Sequence, residues 1–202
     1  MLVGIRFNEM TIRYIHKVYK QATPQEIHAG VEWYPSALAC CKKLATEVRL
    51  PVHTVVGVVA ALSPNNRWAS NIPNARDLIT GYQAGKRPED IRVGTYHAMK
   101  AKAWSILEAT PDYGGVLVLL NGKKITAFYE NIMGNDKCTI DGHAKNIYYG
   151  KRERVKDNGS IGVKEYRTIV EAYAKVAKMY NLKTHEMQAI TWITWRRIHN
   201  IT

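Results

Sequence analysis

Residues 119–132, LLNGKKITAFYENI, and 138–150, CTIDGHAKNIYYG, hold side chains whose types and spacing could act on a phosphate-linked sugar. The first segment reads as helix, tight Gly122 turn, helix. A turn of that kind aims successive backbone N–H groups outward from a helix N-terminus, where a phosphate oxygen is favoured. Lys123 and Lys124 add positive charge there, with Thr126 in the same turn, so the hairpin could grip a nucleic-acid backbone without reading bases. On its own, the pattern equally describes an ordinary junction between two antiparallel helices.

The second segment adds an acid. Asp141 follows an apolar approach and precedes a helix over 141–149, so its carboxylate is expected at the positive end of that helix, where the ionised form is favoured. A fixed anion beside a backbone-gripping turn suits cleavage of a glycosidic bond, because the departing base leaves an oxocarbenium-like sugar that negative charge stabilises. Asp141 alone is also a plain N-cap, worth about 1 kcal/mol of helix stability. His143 is placed to bond Asp141 or a phosphate, and Lys145 to add charge on the same short helix. Each could equally be a surface residue.

Nearly every segment that would position these residues reads as helical. Thr23-Pro24-Gln25-Glu26 pairs a capping hydroxyl with a glutamate three residues on and a proline at the first helical position, opening a helix expected to run to 45–48. Pro51 opens another, whose run Val55 to Leu62 reads as buried nearly all round. Ser63-Pro64-Asn65-Asn66 ends it. Helices are expected over 69–85, with Pro73 near the first turn, and over 95–108, with Ala98, Ala101, Trp104 and Leu107 at helical spacing. Residues 111–115 form a turn-rich break before Val116 to Leu120. After the helix over 125–133 comes a loop at Gly134-Asn135-Asp136. The basic stretch 151–160 is an exposed loop, and helices over 163–180 and 184–199 close the chain. Trp192 and Trp195 share a helical face and read as core packing. Sustained strand alternation is absent, so the expectation is an all-α fold with no repeat and no linker, a single domain over 1–202.

The 202 residues carry 29 Lys plus Arg against 17 Asp plus Glu, a net charge of +12. A polyanionic partner fits that balance, since neutralising phosphates releases counterions; a merely basic surface fits it too. The longest apolar run is too short to span a bilayer, and Arg6 and Glu9 interrupt what a secretory signal would need to keep apolar. Three cysteines, Cys40, Cys41 and Cys138, make neither a disulfide framework nor a metal cluster. A reducing, cytoplasmic setting is expected. Oligomeric state has no signature.

In order and spacing these segments resemble the helix-hairpin-helix DNA glycosylases, the superfamily of endonuclease III and the adenine mismatch glycosylases. Leu120, Gly122, Thr126 and Ala127 echo that family's hairpin within 116–133. Ile140-Asp141-Gly142-His143-Ala144-Lys145-Asn146-Ile147 echoes its Asp motif. Val55 to Trp68 is similar to the apolar helix that ends near the base-reading loop, and Val93 to Ala101 to a Gly-and-Lys helix start. The chain also resembles small proteins encoded by phages, which would place it in a host cytoplasm.

The resemblance implies two helical lobes flanking a cleft and a DNA partner whose target nucleotide is flipped out. It assigns Gly122, Lys123, Lys124, Thr126, His143 and Lys145 to DNA binding, and Asn65, Asn66, Arg67 and Trp68 to the base pocket. Asp141 becomes the catalytic carboxylate, stabilising the cationic sugar and helping to orient or deprotonate water, and Lys124 a second catalytic candidate. Bifunctional members carry a nucleophilic lysine immediately before the hairpin threonine. Here that residue is Ile125, which implies a monofunctional, water-using N-glycosylase without a lyase step. The family's four-cysteine iron–sulfur loop is missing, so no cofactor is expected beyond a monovalent cation at the hairpin. Two alternatives keep the scaffold: a transferase acting on modified thymine in phage DNA, and a non-catalytic DNA-binding or counter-defence protein.

Overall fold

The computed structural model describes residues 12–154 and 159–201. Arg6, Glu9 and the Val155-Lys156 end of the basic stretch lie outside them. The fold is all-α: among the described residues there are eleven α-helices, one short 3₁₀ turn at Pro88–Asp90 and no strand. The helices are α1 (12–19), α2 (Pro24–Val31), α3 (Trp33–Val48), α4 (Val52–Leu62), α5 (Trp68–Gln83), α6 (His97–Ala109), α7 (Tyr113–Leu120), α8 (Lys123–Ile132), α9 (Gly142–Tyr149), α10 (Val163–Met179) and α11 (Thr184–Ile198). The described residues divide into two compact units: those up to 33 together with those from 136 on, and residues 34–135.

The first unit is built on α1, α2 and α9–α11. Ile15, Val18, Ile140, Ala144, Ile147, Tyr173, Val176, Met187 and Trp195 form its buried core. The Thr23 capping box forms as its sequence spacing predicts, with Glu26 N donating to Thr23 Oγ1 at 3.2 Å and Thr23 N to Glu26 Oε2 at 2.8 Å. Gly30 lets α2 lie directly on α11, since a Cβ there would sit 2.4 Å from Ile190 Cγ1 and 2.7 Å from its Cα. Arg197 on α11 then reaches back to Glu26 at 2.7 Å and to the Gln21 carbonyl at 2.7 Å. Asp136 starts α11 by accepting from the backbone N–H groups of Thr184 and His185 and from His185 Nδ1.

The second unit wraps α5–α8 around α4, whose residues from Thr54 to Leu62 are all buried. That is the all-round burial its apolar run predicts. Gly57 admits α7 closely, a Cβ there meeting Val116 Cγ1 at 2.7 Å. No single helix among the described residues is long and apolar enough to cross a membrane; only the pair α3 and α4, bent by 116°, reaches that length.

Three sequence expectations are corrected. The helix opened by Thr23 is two helices, because Pro35 in the first turn of α3 has no N–H for the Val31 carbonyl, and α2 ends at Val31 with Glu32 as its cap. The break at 111–115 is partly helix: Asp112 Oδ1 accepts from Gly115 N at 2.8 Å and starts α7 at Tyr113 rather than Val116. Pro73 lies inside α5 rather than near its first turn, since α5 starts at Trp68.

Candidate functional site

The hairpin forms where the sequence puts it, between α7 and α8, but its turn works differently from a glycine turn. The residue in the left-handed region is Asn121, at φ 40° and ψ 54°. Gly122 caps α8 at φ −165°, an extended conformation open to any residue. Thr126 directs its hydroxyl onto the carbonyl of Gly122 at 2.9 Å, inside its own helix. Ile125 is buried beneath the turn, Lys123 is exposed and Lys124 half-buried. Lys102, on α6, donates to the Leu120 carbonyl at 2.5 Å. The chain's own ammonium therefore neutralises the carbonyl end of α7 beside the turn. A monovalent cation there would compete with Lys102 for that oxygen.

The loop after α4 is more constrained than a base-reading loop needs to be. Asn66 Nδ2 donates to the Leu62 carbonyl at 3.2 Å and lies 3.4 Å from Asn71 Oδ1, while Asn71 reaches the Val59 carbonyl at 3.0 Å. These amides satisfy the carbonyls at the end of α4. Thr95 ties down the same loop through the Pro64 carbonyl at 2.6 Å. Asn65, at φ 54°, and Arg67 are exposed, and Trp68 opens α5 half-buried. The four candidate base-pocket residues thus lie along the junction of α4 and α5 in the second unit, Asn66 bonding the end of α4 and Trp68 opening α5.

In the first unit Asp141 caps α9 as expected, its Oδ1 accepting from Ala144 N at 2.8 Å. The other oxygen has a partner that sequence reading missed. Trp192 Nε1 on α11 donates to Asp141 Oδ2 at 3.1 Å. Arg196, one turn further along α11, lays its guanidinium 4.5 Å from the Trp192 ring centre and donates through Nε to the Ile201 carbonyl at 3.2 Å. The His143 ring stands edge-on to Trp192, centroids 6.4 Å apart, and its Nδ1 is buried without a hydrogen bond. The carboxylate bonds the indole at its N–H edge and the guanidinium covers its face, with Asp141 and Trp192 each only partly buried.

Lys145 does not stand free for a phosphate. Its ammonium pairs with Glu165 on α10 at 3.2 Å, its side chain 15% exposed, and Tyr149 donates to the same carboxylate oxygen at 3.0 Å. Those contacts hold Glu165 below the usual carboxylate range, although burial opposes them. Beneath Asp141, burial pushes the Cys138 thiol and the Tyr173 phenol well up, so both are neutral neighbours of the carboxylate. Arg152 in the basic stretch donates to the His199 carbonyl at 3.0 Å. No group of three or more metal-ligating side chains occurs among the described residues.

Trp192 and Trp195 were expected together in the core. Trp195 is there, 6% exposed, and Trp192 is not. The available signal was Arg196 four residues after Trp192: an arginine at helical spacing marks a tryptophan whose face is open to a cation.

A family described as one of unknown function, DUF7178, matches residues 3–199. The chain belongs to that family. No curated protein and no solved structure matches it.

Proposed function

We propose that this DUF7178 protein is a DNA glycosylase-like enzyme that extrudes a modified or damaged nucleotide and cleaves its N-glycosidic bond. The observation carrying this reading is the state of Asp141. It is a partly exposed carboxylate at the positive end of α9, with both oxygens oriented by neutral donors. Such a group is suited to stabilising positive charge that develops at a sugar carbon. The basic balance of the chain and the N-terminus of α8, with Lys123 and Lys124, support a DNA backbone as the other contact.

In this reading the C1′–N bond breaks with its electron pair leaving on the base, and the cationic sugar is stabilised by Asp141. Water then adds at C1′. Its oxygen and one hydrogen stay on the sugar and its other proton passes to the base, so the products are a free base and an abasic site. Ile125 at the position before Thr126 supports hydrolysis without a Schiff base.

The test is base release from duplexes carrying modified or damaged bases, with Asp141→Asn alongside and nucleosides analysed by mass spectrometry. A free base with Asp141-dependent release is expected. A heavier nucleoside would mean group transfer instead, and DNA binding indifferent to Asp141 with no product would mean a binding module.

A further inference from the structure

We propose that Trp192 is the positioning residue for Asp141, holding its carboxylate as an oriented anion, and that Arg196 holds Trp192 in place. The inference rests on the glycosylase reading for what the anion acts upon, and on geometry alone for how it is held.

An N-cap aspartate is ordinarily tied by one oxygen only. Here the second oxygen is tied as well, from a different helix: Ala144 N from α9 at 2.8 Å and Trp192 Nε1 from α11 at 3.1 Å. Two donors on separate helices remove the rotation that one bond leaves open. An indole N–H can only donate, so it pairs with a lone pair of that oxygen. Both oxygens are engaged and fixed in direction, which suits the carboxylate to stabilising the cationic sugar.

The indole is itself clamped. Arg196 stacks on one face at 4.5 Å and is tethered to the Ile201 carbonyl, while Trp195 anchors the same helix in the core. The His143 ring, edge-on to Trp192, is one titratable neighbour of the carboxylate. Cys138 and Tyr173, facing it from the preceding segment and from α10, are kept neutral by burial. Lys145 on α9 is engaged by Glu165, and the nearest cation on α11, Arg196, acts through the indole.

The experiment uses the full chain with 15N-labelled tryptophan, whose five indole N–H resonances are resolved by NMR. Trp192→Phe identifies one resonance. Asp141→Asn, which keeps the cap, is expected to move that resonance and speed its solvent exchange by at least roughly 10-fold, leaving the other four in place. In single-turnover base release, Trp192→Phe is expected to slow the chemical step by roughly 10–100-fold with DNA affinity within about twofold. The double variant should be no slower than Asp141→Asn alone. Should Trp192→Phe fail to fold, Arg196→Met, which keeps the indole, should still slow the step with affinity unchanged. An indole resonance indifferent to Asp141, or full independence of the two substitutions, would overturn the assignment. No base release by the wild-type chain together with an Asp141-sensitive indole would overturn the reaction and leave the coupling standing.

Discussion

Two helix starts, Asn121 to Thr126 and Ile140 to Lys145, carry the sequence patterns that point to DNA chemistry, and they are held in different ways. The first is secured locally: a left-handed Asn121, a threonine hydroxyl folded onto its own helix, and a lysine on the last carbonyl of α7. The second is secured at a distance. Its carboxylate joins α9 to α11 through an indole 51 residues along the chain. Local securing yields a basic surface that any polyanionic partner can use. Securing across helices fixes one functional group in space, as a reaction centre requires.

A substitution at the glycine that ends α9 should have the largest effect. Gly150 ends α9 at φ 64°, and a Cβ there would lie 2.3–2.6 Å from the Tyr14 ring. Gly150→Ala is therefore expected to destabilise the fold by about 1–3 kcal/mol in denaturant unfolding. Retention of full stability would mean that α1 yields easily to α9.

The hairpin lysines should come next. Lys123→Gln with Lys124→Gln should weaken binding to all duplex sequences alike and make the slope of log K against log salt shallower by roughly 2. An unchanged slope would remove the hairpin from the DNA-contact surface.

Acid sensitivity separates the two units by a smaller effect. Hydrogen bonds from Arg197 hold Glu26 below the usual glutamate range, so the stability this pair adds is present above that range and lost as pH falls through the lowered value. Arg76 does the same for Glu47, but both partners there are 40% or more exposed, and solvent screens them. Glu26→Gln should flatten the fall in Tm between about pH 6 and pH 3 more than Glu47→Gln does. Equal flattening would mean that the burial of Glu26 adds nothing. Gly122→Ala should be the mildest change, within about 0.5 kcal/mol. Its φ is extended, and its Cβ would meet Ile125 Cγ1 at 3.3 Å and the Leu120 carbonyl oxygen at 3.7 Å.

Features that depend on neighbours in the chain were legible in the sequence. The capping box at Thr23, the buried α4 and the Asp141 cap all follow from residues within one or two helical turns. The division of α2 from α3 was legible too, in Pro35, but needed that proline weighed against the strong cap upstream. The start of α7 was masked by Gly114 and Gly115, which signal a turn while Asp112 supplies a cap. What sequence could not supply was the partner of the second Asp141 oxygen. Trp192 sits at core-like spacing with Trp195, and only the packing of α11 beside α9 shows that its N–H faces a carboxylate. The hairpin reading was right about position and wrong about the turn, because a left-handed asparagine takes the conformational role that a glycine suggests.

The Asp141 carboxylate is the group on which the proposed reaction depends most. Single-turnover base release from a susceptible duplex, measured for the wild-type chain and for Asp141→Asn, tests it. A loss of about 100-fold or more in the Asn variant, with DNA affinity within a factor of about two, is the predicted result. Equal rates for the two proteins would contradict it.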